Sequence, residues 1–542
     1  MFYKYLQLLW GGYSMRRGRV QAFACFLLWS TSVSIAFAGD EEPQSCVKLQ
    51  QINLHDAANF LNRKRQQKLF SPYMGQCIDG KLLKAMLSDV SGFYMQRGNI
   101  TTRAYLKKQT ITDGQVDISV LNGRVEDIVD ASTKTPNARI KTAFAFQKGE
   151  VLNLRDLETS LEMMNRPPSS DVTFEVKPGT QQGSSIVEIK STDISPYHLK
   201  IGASGRKRPK RNNLYLTTEF SMDNPLNIND ILTFRYNGSS VQKEYQGNKG
   251  GELNYSFPVA SYLIELVGSN FSYRQGVFGL NDTYLSSGNT KGVRVRLSKV
   301  LFRNQKNKLN AAVSIYHKST KNYFANQLVN VSSYKTTLAE MDLTHTWLQS
   351  WGQLTTVYSY YQGTNWFGAR GDGYVSAEID ATTQAKLQFK KHSIDINLLY
   401  NISQKRGYQF TSNFHLQRTN DLLYDGDKLT VGSDYTVRGY LDRNLYGNNA
   451  WYSKNDVTKK WVVDFHPSLL QSVSTSVGLD YGQVACESDN QNSCGKIYGV
   501  AAGLSSYAQN LIASFVWSRP LKKINSKFKV ASLFKFDVTW QF

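Results

Sequence analysis

From Tyr197 to the last residue, Phe542, the chain alternates apolar and polar side chains in segment after segment of about 10–14 residues, broken by Gly, Asn, Asp and Ser. In "GVRVRLS", Val293, Val295 and Leu297 share one face, while Arg294, Arg296 and Ser298 share the other. The last segment repeats the pattern. Phe528, Val530, Phe534, Phe536, Val538, Trp540 and Phe542 oppose Lys527, Lys529, Lys535, Asp537, Thr539 and Gln541. Side chains of a strand point alternately to its two faces, so such a segment separates an apolar medium from a polar one. A soluble β-sandwich alternates in the same way, and two further features select a membrane barrel. The apolar faces carry more large aromatics than a water-facing surface holds, in a chain with 31 Tyr and 27 Phe. The chain also stops on an aromatic within a strand, with Trp540 and Phe542 as its terminal signal. Such an end makes a poor soluble edge but can close a ring.

Sixteen strands, at about 21 residues per strand and connection, account for the region 194–542. One ambiguity falls at "FKKHSIDI", where the apolar parity switches from Leu387 and Phe389 to Ile394 and Ile396. Either a tight turn or a bulge explains it. Single-chain bacterial barrels favour even strand numbers, and a barrel of sixteen has a lumen its own strand side chains cannot fill. A helical membrane protein is excluded, because no internal run of about 18 apolar residues exists.

Residues 1–38 read as a signal peptide. "MRRGRVQ" is a basic n-region, "AFACFLLWSTSVSIAFA" an apolar stretch, and Ala36-Phe37-Ala38 a small-residue cleavage site; Met15 is an alternative start. Export suits the cysteines. Cys25 leaves with the leader, and spacing suggests local bridges Cys46–Cys77 and Cys486–Cys494 in an oxidising compartment. Zinc is the alternative, but neither pair has C-x-x-C spacing or a histidine cluster nearby. The formal charge is +21, of which Lys4, Arg16, Arg17 and Arg19 belong to the leader. In an exported chain that excess points to anionic lipopolysaccharide or a charged lumen rather than to nucleic acid.

Between a short segment at 39–45 and the barrel, the pattern is α+β and occurs twice. At 46–123, strand "VKLQQINL", helices "ANFLNRKRQQKLF" and "GKLLKAMLSDVSGFYMQRG", and strands "TTRAYLKKQ" and "GQVDISVLNG" follow one another. Leu83, Leu87, Val90 and Tyr94 mark an apolar face of the second helix. The same strand–helix–helix–strand–strand order returns at 124–193, so two tandem domains are expected rather than one irregular domain. Catalytic and nucleotide-binding signatures are missing from the whole sequence: no G-x-S-x-G, H-E-x-x-H or G-x-x-x-x-G-K-[ST] occurs, and the seven histidines are scattered. No enzyme, metal site or cofactor is expected.

One connection is exceptional. Residues about 419–449, "TNDLLYDGDKLTVGSDYTVRGYLDRNLYGNN", are polar and glycine-rich, against a usual connection of about 4–6 residues. Downstream, Val473, Thr475, Val477, Leu479 and Tyr481 take the lipid face, which turns Asp480 inward among Ser474, Ser476, Gly478 and Gly482. The next strand turns Gly499, Ala501, Gly503 and Ser505 inward. Two adjacent strands thus share a cleared inner wall bearing one carboxylate. The long loop carries Arg438, whose guanidinium can pair bidentately with Asp480; Asp434 and Asp456 are competing partners.

These segments resemble the outer-membrane transporters of two-partner secretion, within the superfamily of barrels preceded by periplasmic POTRA domains. "GNITTRAYLKKQ", "GQVDISVLNGRVEDI" and "LNLRDLETSLEMMNRPPSSDVTFEVKPG" resemble its two POTRA domains. "YTVRGYLDRNLYGNNAWYSKND" resembles its loop motif, with Val437, Gly439 and Tyr440 around Arg438, and "GLDYGQV" the strand motif with Asp480. The resemblance implies a sixteen-stranded barrel whose sixth extracellular loop folds back into the lumen, tethered from Arg438 to Asp480. It implies capture of an unfolded secreted partner, such as a haemolysin, adhesin or contact-dependent toxin, by β-augmentation without nucleotide. Arg103, Lys107 and Lys108 in a POTRA strand are candidate contacts to it. Outer-membrane lipid and the machinery that inserts barrels are further expected partners, and nucleic acid is not. A general barrel-assembly factor is the alternative reading, although it usually carries more than two POTRA units. A passive porin lacks tandem periplasmic domains. The family's N-terminal plug helix is not expected here, since only "GDEEPQS" separates the cleavage site from Cys46, which leaves gating to the loop.

Overall fold

A computed structural model describes residues 46–542, apart from 57–61, 208–211, 240–245, 281, 373–383, 441–443, 467–469, 488–489, 492 and 523–530. The expected leader, the segment 39–45, and Lys527 to Val530 of the expected last strand lie outside the described residues.

The first domain places Gln51–His55 parallel to Gln115–Leu121, which pairs on its other side antiparallel with Arg103–Leu106. Helices Arg63–Phe70 and Gly80–Gln96 cover this sheet. Asn62 and Asp79 cap them, accepting from the N–H groups of Arg65 (3.1 Å) and Leu82 (2.6 Å), which satisfies donors that a helix start leaves free. The second helix buries Leu82, Met86, Val90 and Tyr94 against Val116, Ile118 and Val120. Leu83 and Leu87, expected at the centre of that face, lie partly buried on its flank. Steps of four residues keep Leu82, Met86, Val90 and Tyr94 nearly in line, and that row meets the sheet. A disulfide joins Cys46 to Cys77 beside the bridge from Lys48 to Cys77.

The second domain has the same order and pairing: central Ser184–Asp193, parallel to Arg124–Asp130 and antiparallel to Ser170–Pro178, with helices Ala138–Ala143 and Leu154–Met164. It is fastened to the near end of the barrel. The buried Arg139 donates from Nε to Asn229 Oδ1 (3.1 Å) and from Nη2 to Ser170 Oγ (2.8 Å). Arg166 donates to the carbonyls of Asn229 and Ser256, both at 2.8 Å. Glu162 takes Arg303 (2.7 Å) and Lys308.

The barrel has sixteen long antiparallel strands, from Tyr197–Lys207 to Leu533–Gln541, and the last pairs with the first to close it. A two-residue pair, Gln327–Leu328, only extends one hairpin. The Phe542 N–H donates to the Leu199 carbonyl at 2.8 Å, so the terminal aromatic sits in the closing seam. Val293, Val295, Phe534, Phe536 and Trp540 are exposed on the outside. Arg296 points inward, paired to Asp342 and Glu265. Aromatic rings such as Trp347, Trp351 and Tyr400 pack together at the domain-side rim, the girdle that membrane barrels place at the interface. The parity switch is neither a hairpin nor a bulge. Leu387 and Phe389 are buried in an irregular segment, and the strand Lys390–Ser403 begins only afterwards. Their odd-numbered apolarity fills packed protein rather than facing lipid.

A loop tethered inside the barrel

The long connection leaves the strand Tyr408–Thr419 and returns at Ala450–His466, with a small hairpin, Leu429–Val431 against Leu445–Gly447, inside it. Beyond that hairpin the chain turns tightly. Ser433 N–H donates to the Val437 carbonyl (3.1 Å), and Gly432 N–H donates to Thr436 Oγ1 (2.9 Å). Gly439 adopts φ +96°, a conformation that favours glycine, and a Cβ there would strike the backbone of Arg519 and Pro520. That close approach lays the loop tip against the inner wall.

Arg438 is the tether. Its Nε and Nη2 donate to the two carboxylate oxygens of Asp480, each at 2.6 Å, and its backbone N–H donates to Oδ2 at 2.9 Å. Nη1 reaches Asp456 Oδ1 at 2.8 Å. Asp480 is fully buried and Arg438 is 7 % exposed, so little water competes for these bonds. A bidentate fork plus a backbone donor satisfies a buried carboxylate that would otherwise be strongly disfavoured. Of the two competing partners, Asp456 shares Arg438 with Asp480. Asp434 lies with Arg206 instead, at 2.8 Å, and its carbonyl accepts from Lys454 Nζ at 3.1 Å.

The cleared wall is where the tip lies. A Cβ at Gly478 would collide with Arg438 Nη2 and Asp456 Oδ1, one at Gly499 with the Arg438 carbonyl, and one at Gly482 with Val431 and Val437. Val437, Tyr440, Val431, Leu445, Ala450, Val484 and Ile497 form a buried apolar cluster between loop and wall. The Tyr440 hydroxyl lies 2.9 Å from the Tyr498 carbonyl and 2.6 Å from that of Lys522, reaching two strand ends at once. At its base the loop is strapped to the neighbouring loop closed by Cys486–Cys494. Asn449 Nδ2 donates to Glu487 (2.7 Å) and to the Thr419 carbonyl (3.0 Å), and Asn448 Oδ1 accepts from Leu423 N–H (2.9 Å).

Asp456, expected as an alternative to Asp480, engages Arg438 together with it, and the sequence did not point to Lys454, Glu487, Asn448 or Asn449. Strand parity with outward Val457 would have placed Lys454 and Asp456 in the lumen. Nothing in the sequence signals Glu487. Arg103, Lys107 and Lys108 belong to the first domain. Only Arg103 lies within its strand, and its guanidinium is engaged by the carbonyls of Ile100 (2.7 Å) and Thr102 (2.9 Å). Lys107 and Lys108 follow the strand, exposed to solvent.

A closed barrel with an apolar exterior, a lumen entered by its own tethered loop, and α+β domains before it is the architecture of an outer-membrane barrel with periplasmic domains. The chain belongs to the family described as haemolysin secretion/activation protein ShlB/FhaC/HecB, whose model matches residues 183–506. The first domain matches the ShlB-type POTRA domain over 47–123, and the second a POTRA domain over 124–178. The chain is 28 % identical over 486 residues to the outer membrane transporter CdiB of Escherichia coli O6:K15:H31, covering 89 % of this chain and 80 % of that one. It is 25 % identical over 465 residues to the hemolysin transporter protein HpmB of Proteus mirabilis, covering 86 % and 80 %. The solved structure of CdiB from Escherichia coli superposes with a TM-score of 0.83 at 26 % identity, over 94 % of this chain and 93 % of that one. BamA from Haemophilus ducreyi, at 12 % identity and a TM-score of 0.50, shares the fold alone. The chain is therefore a two-partner secretion pore of the outer membrane with periplasmic POTRA domains, rather than a general assembly factor.

Proposed function

We propose that this pore captures an unfolded secreted partner of the haemolysin, adhesin or contact-dependent inhibition class at its POTRA domains and passes it through the barrel, with the Arg438 loop as the gate. The observation that carries the gating role is the double engagement of Arg438 by Asp480 and Asp456 inside the lumen. An extended substrate can add to the edge strand Arg103–Leu106 of the first domain, where Lys107 and Lys108 supply exposed cations and Arg103 orders the edge. The chain acts without catalysis, cofactor or nucleotide, and folding of the partner outside gives the direction. Trp540 and Phe542 serve as the signal by which the barrel-inserting machinery recognises it.

The test is co-expression with a candidate partner, a large exported β-helical protein sought among the neighbouring reading frames. Deleting this chain leaves the partner in the periplasm, and secretion that continues without it defeats the proposal. Arg438→Ala, compared at equal barrel levels, lowers secretion; unchanged secretion removes the loop from the mechanism while leaving the pore itself in place.

A further inference from the structure

The periplasmic rim carries a basic site on the outer side of the barrel. The turn between Lys390–Ser403 and Tyr408–Thr419 closes through Gly407, at φ +71°, whose carbonyl accepts from Lys460 N–H at 2.9 Å. Lys405 and Arg406 stand exposed at its tip. On the adjoining strand Lys459 lies directly across from Tyr408. Its ammonium is 4.8 Å from the centre of the Tyr408 ring and 5.1 Å from that of Trp461. Parity sets its direction. Val457 and Trp461, two residues to either side, are exposed on the barrel's outer face. Lys459 therefore faces the membrane, away from the lumen and from any polypeptide in it. Turn and strand border an open cavity of about 580 Å³.

Counter-charge is what the site lacks. Two other cations at this rim have carboxylate partners: Lys200 with Glu219 at 2.9 Å, and Arg303 with Glu162 at 2.7 Å. Among the described residues, no ion pair engages Lys405, Arg406 or Lys459. A lysine on the lipid face between two aromatics sits at the boundary of hydrocarbon and headgroups, where its stem lies against apolar surface and its charge reaches the polar layer. The rings stabilise the ammonium through their negative faces and leave its outward side open. An arginine beside it offers a planar fork suited to phosphate oxygens.

We propose that Lys405, Arg406 and Lys459 bind the phosphate headgroup of an anionic phospholipid of the periplasmic leaflet. One acyl chain lies along Val457 and, across from it, Phe410. The position at the POTRA end of the barrel selects a phospholipid over the lipopolysaccharide of the outer face.

The test uses the purified full-length protein in detergent, with phosphatidylglycerol or phosphatidylcholine of the same acyl chains added and retained lipid counted by native mass spectrometry. The wild type retains phosphatidylglycerol in preference. A triple variant, Lys405→Gln, Arg406→Gln and Lys459→Gln, retains about tenfold less, since each basic residue near a membrane surface adds substantially to anionic-lipid affinity. Lys459→Arg keeps the preference, as does Lys68→Gln, which removes a charge from an exposed helix of the first domain. All three side chains are outside the packed core, so the variants are compared as folded barrels. Equal retention of phosphatidylglycerol by wild type and triple variant overturns the proposal, as does equal retention of the two lipids by the wild type. Displacement of the lipid by millimolar inorganic phosphate would identify a free-anion site instead.

Discussion

Arg438→Ala is the most informative single change, because it strands a carboxylate that has nowhere to go. Asp480 is 0 % exposed and takes three of its bonds from residue 438, two of them from the guanidinium. After truncation only the backbone N–H remains. Breaking a buried ion pair by removing one partner costs about 3–5 kcal/mol, mostly the penalty of the unpaired charge left behind. That shifts the balance between docked and undocked tip by roughly 10² to 4 × 10³. Tyr440 and the apolar cluster around Val437 still favour docking, so the tip loosens while the strapped base stays in place. Asp480→Ala should be milder, since Arg438 keeps Asp456 at 2.8 Å. The double variant should lose less than the sum of the two single changes, because the stranded carboxylate is gone. The assay is single-channel conductance in planar bilayers together with partner secretion, at matched barrel levels. Expected are a larger occupancy of the high-conductance state for Arg438→Ala, a smaller one for Asp480→Ala, and an intermediate one for the pair. Strict additivity, or an Arg438→Ala trace identical to wild type, would refute the reasoning.

Gly499→Ala should imitate the loss of the tether, because its Cβ meets the fixed carbonyl of Arg438, whereas Gly268→Ala, with open space around it, should leave conductance unchanged. Replacing Cys486 and Cys494 by Ser frees the loop on which Asn448 and Asn449 rest. A disulfide of this short span contributes up to about 2–3 kcal/mol, so faster proteolytic nicking of residues 485–494 on intact cells is expected. Burial pushes the Glu162 carboxyl up, but Lys308 and Arg303 together outweigh it and hold it below the ordinary carboxylate range. A carboxyl lowered in the folded state stabilises at neutral pH and loses that contribution as pH falls through its folded value. Limited proteolysis at the junction of the second domain and the barrel should therefore accelerate as pH falls below about 4 in the wild type. Glu162→Gln should be more sensitive at pH 7 and show a flatter profile.

The parts of the site legible in the sequence are those fixed within a single strand. A period of two assigns each side chain to lipid or lumen without reference to any other segment, so the inward Asp480 and the bare wall at Gly478 and Gly499 could be read directly. The same rule misled at Leu387 and Phe389, because packed protein and lipid both accept apolar side chains. The helix in the first domain shows a similar limit. Spacing identifies an apolar stripe, but which edge of the stripe meets the sheet depends on how the helix lies, and that moved its centre from Leu83 to Leu82.

The sequence by itself determined a barrel, its two faces, two repeated domains before it, and an arginine loop beside a wall made for it. The tertiary structure alone decided how that arginine is shared. Asp480 and Asp456 lie on neighbouring strands 24 positions apart, and both reach Arg438 because Gly439 presses against Arg519 and Pro520 while Tyr440 spans Tyr498 and Lys522. Bonds within a strand follow from local geometry, but an ion pair across a lumen depends on where distant segments stop. The same holds for the grip of Arg139, Arg166 and Glu162 on the barrel rim, where Asn229 receives both arginines and Arg303, on a later strand, pairs with Glu162.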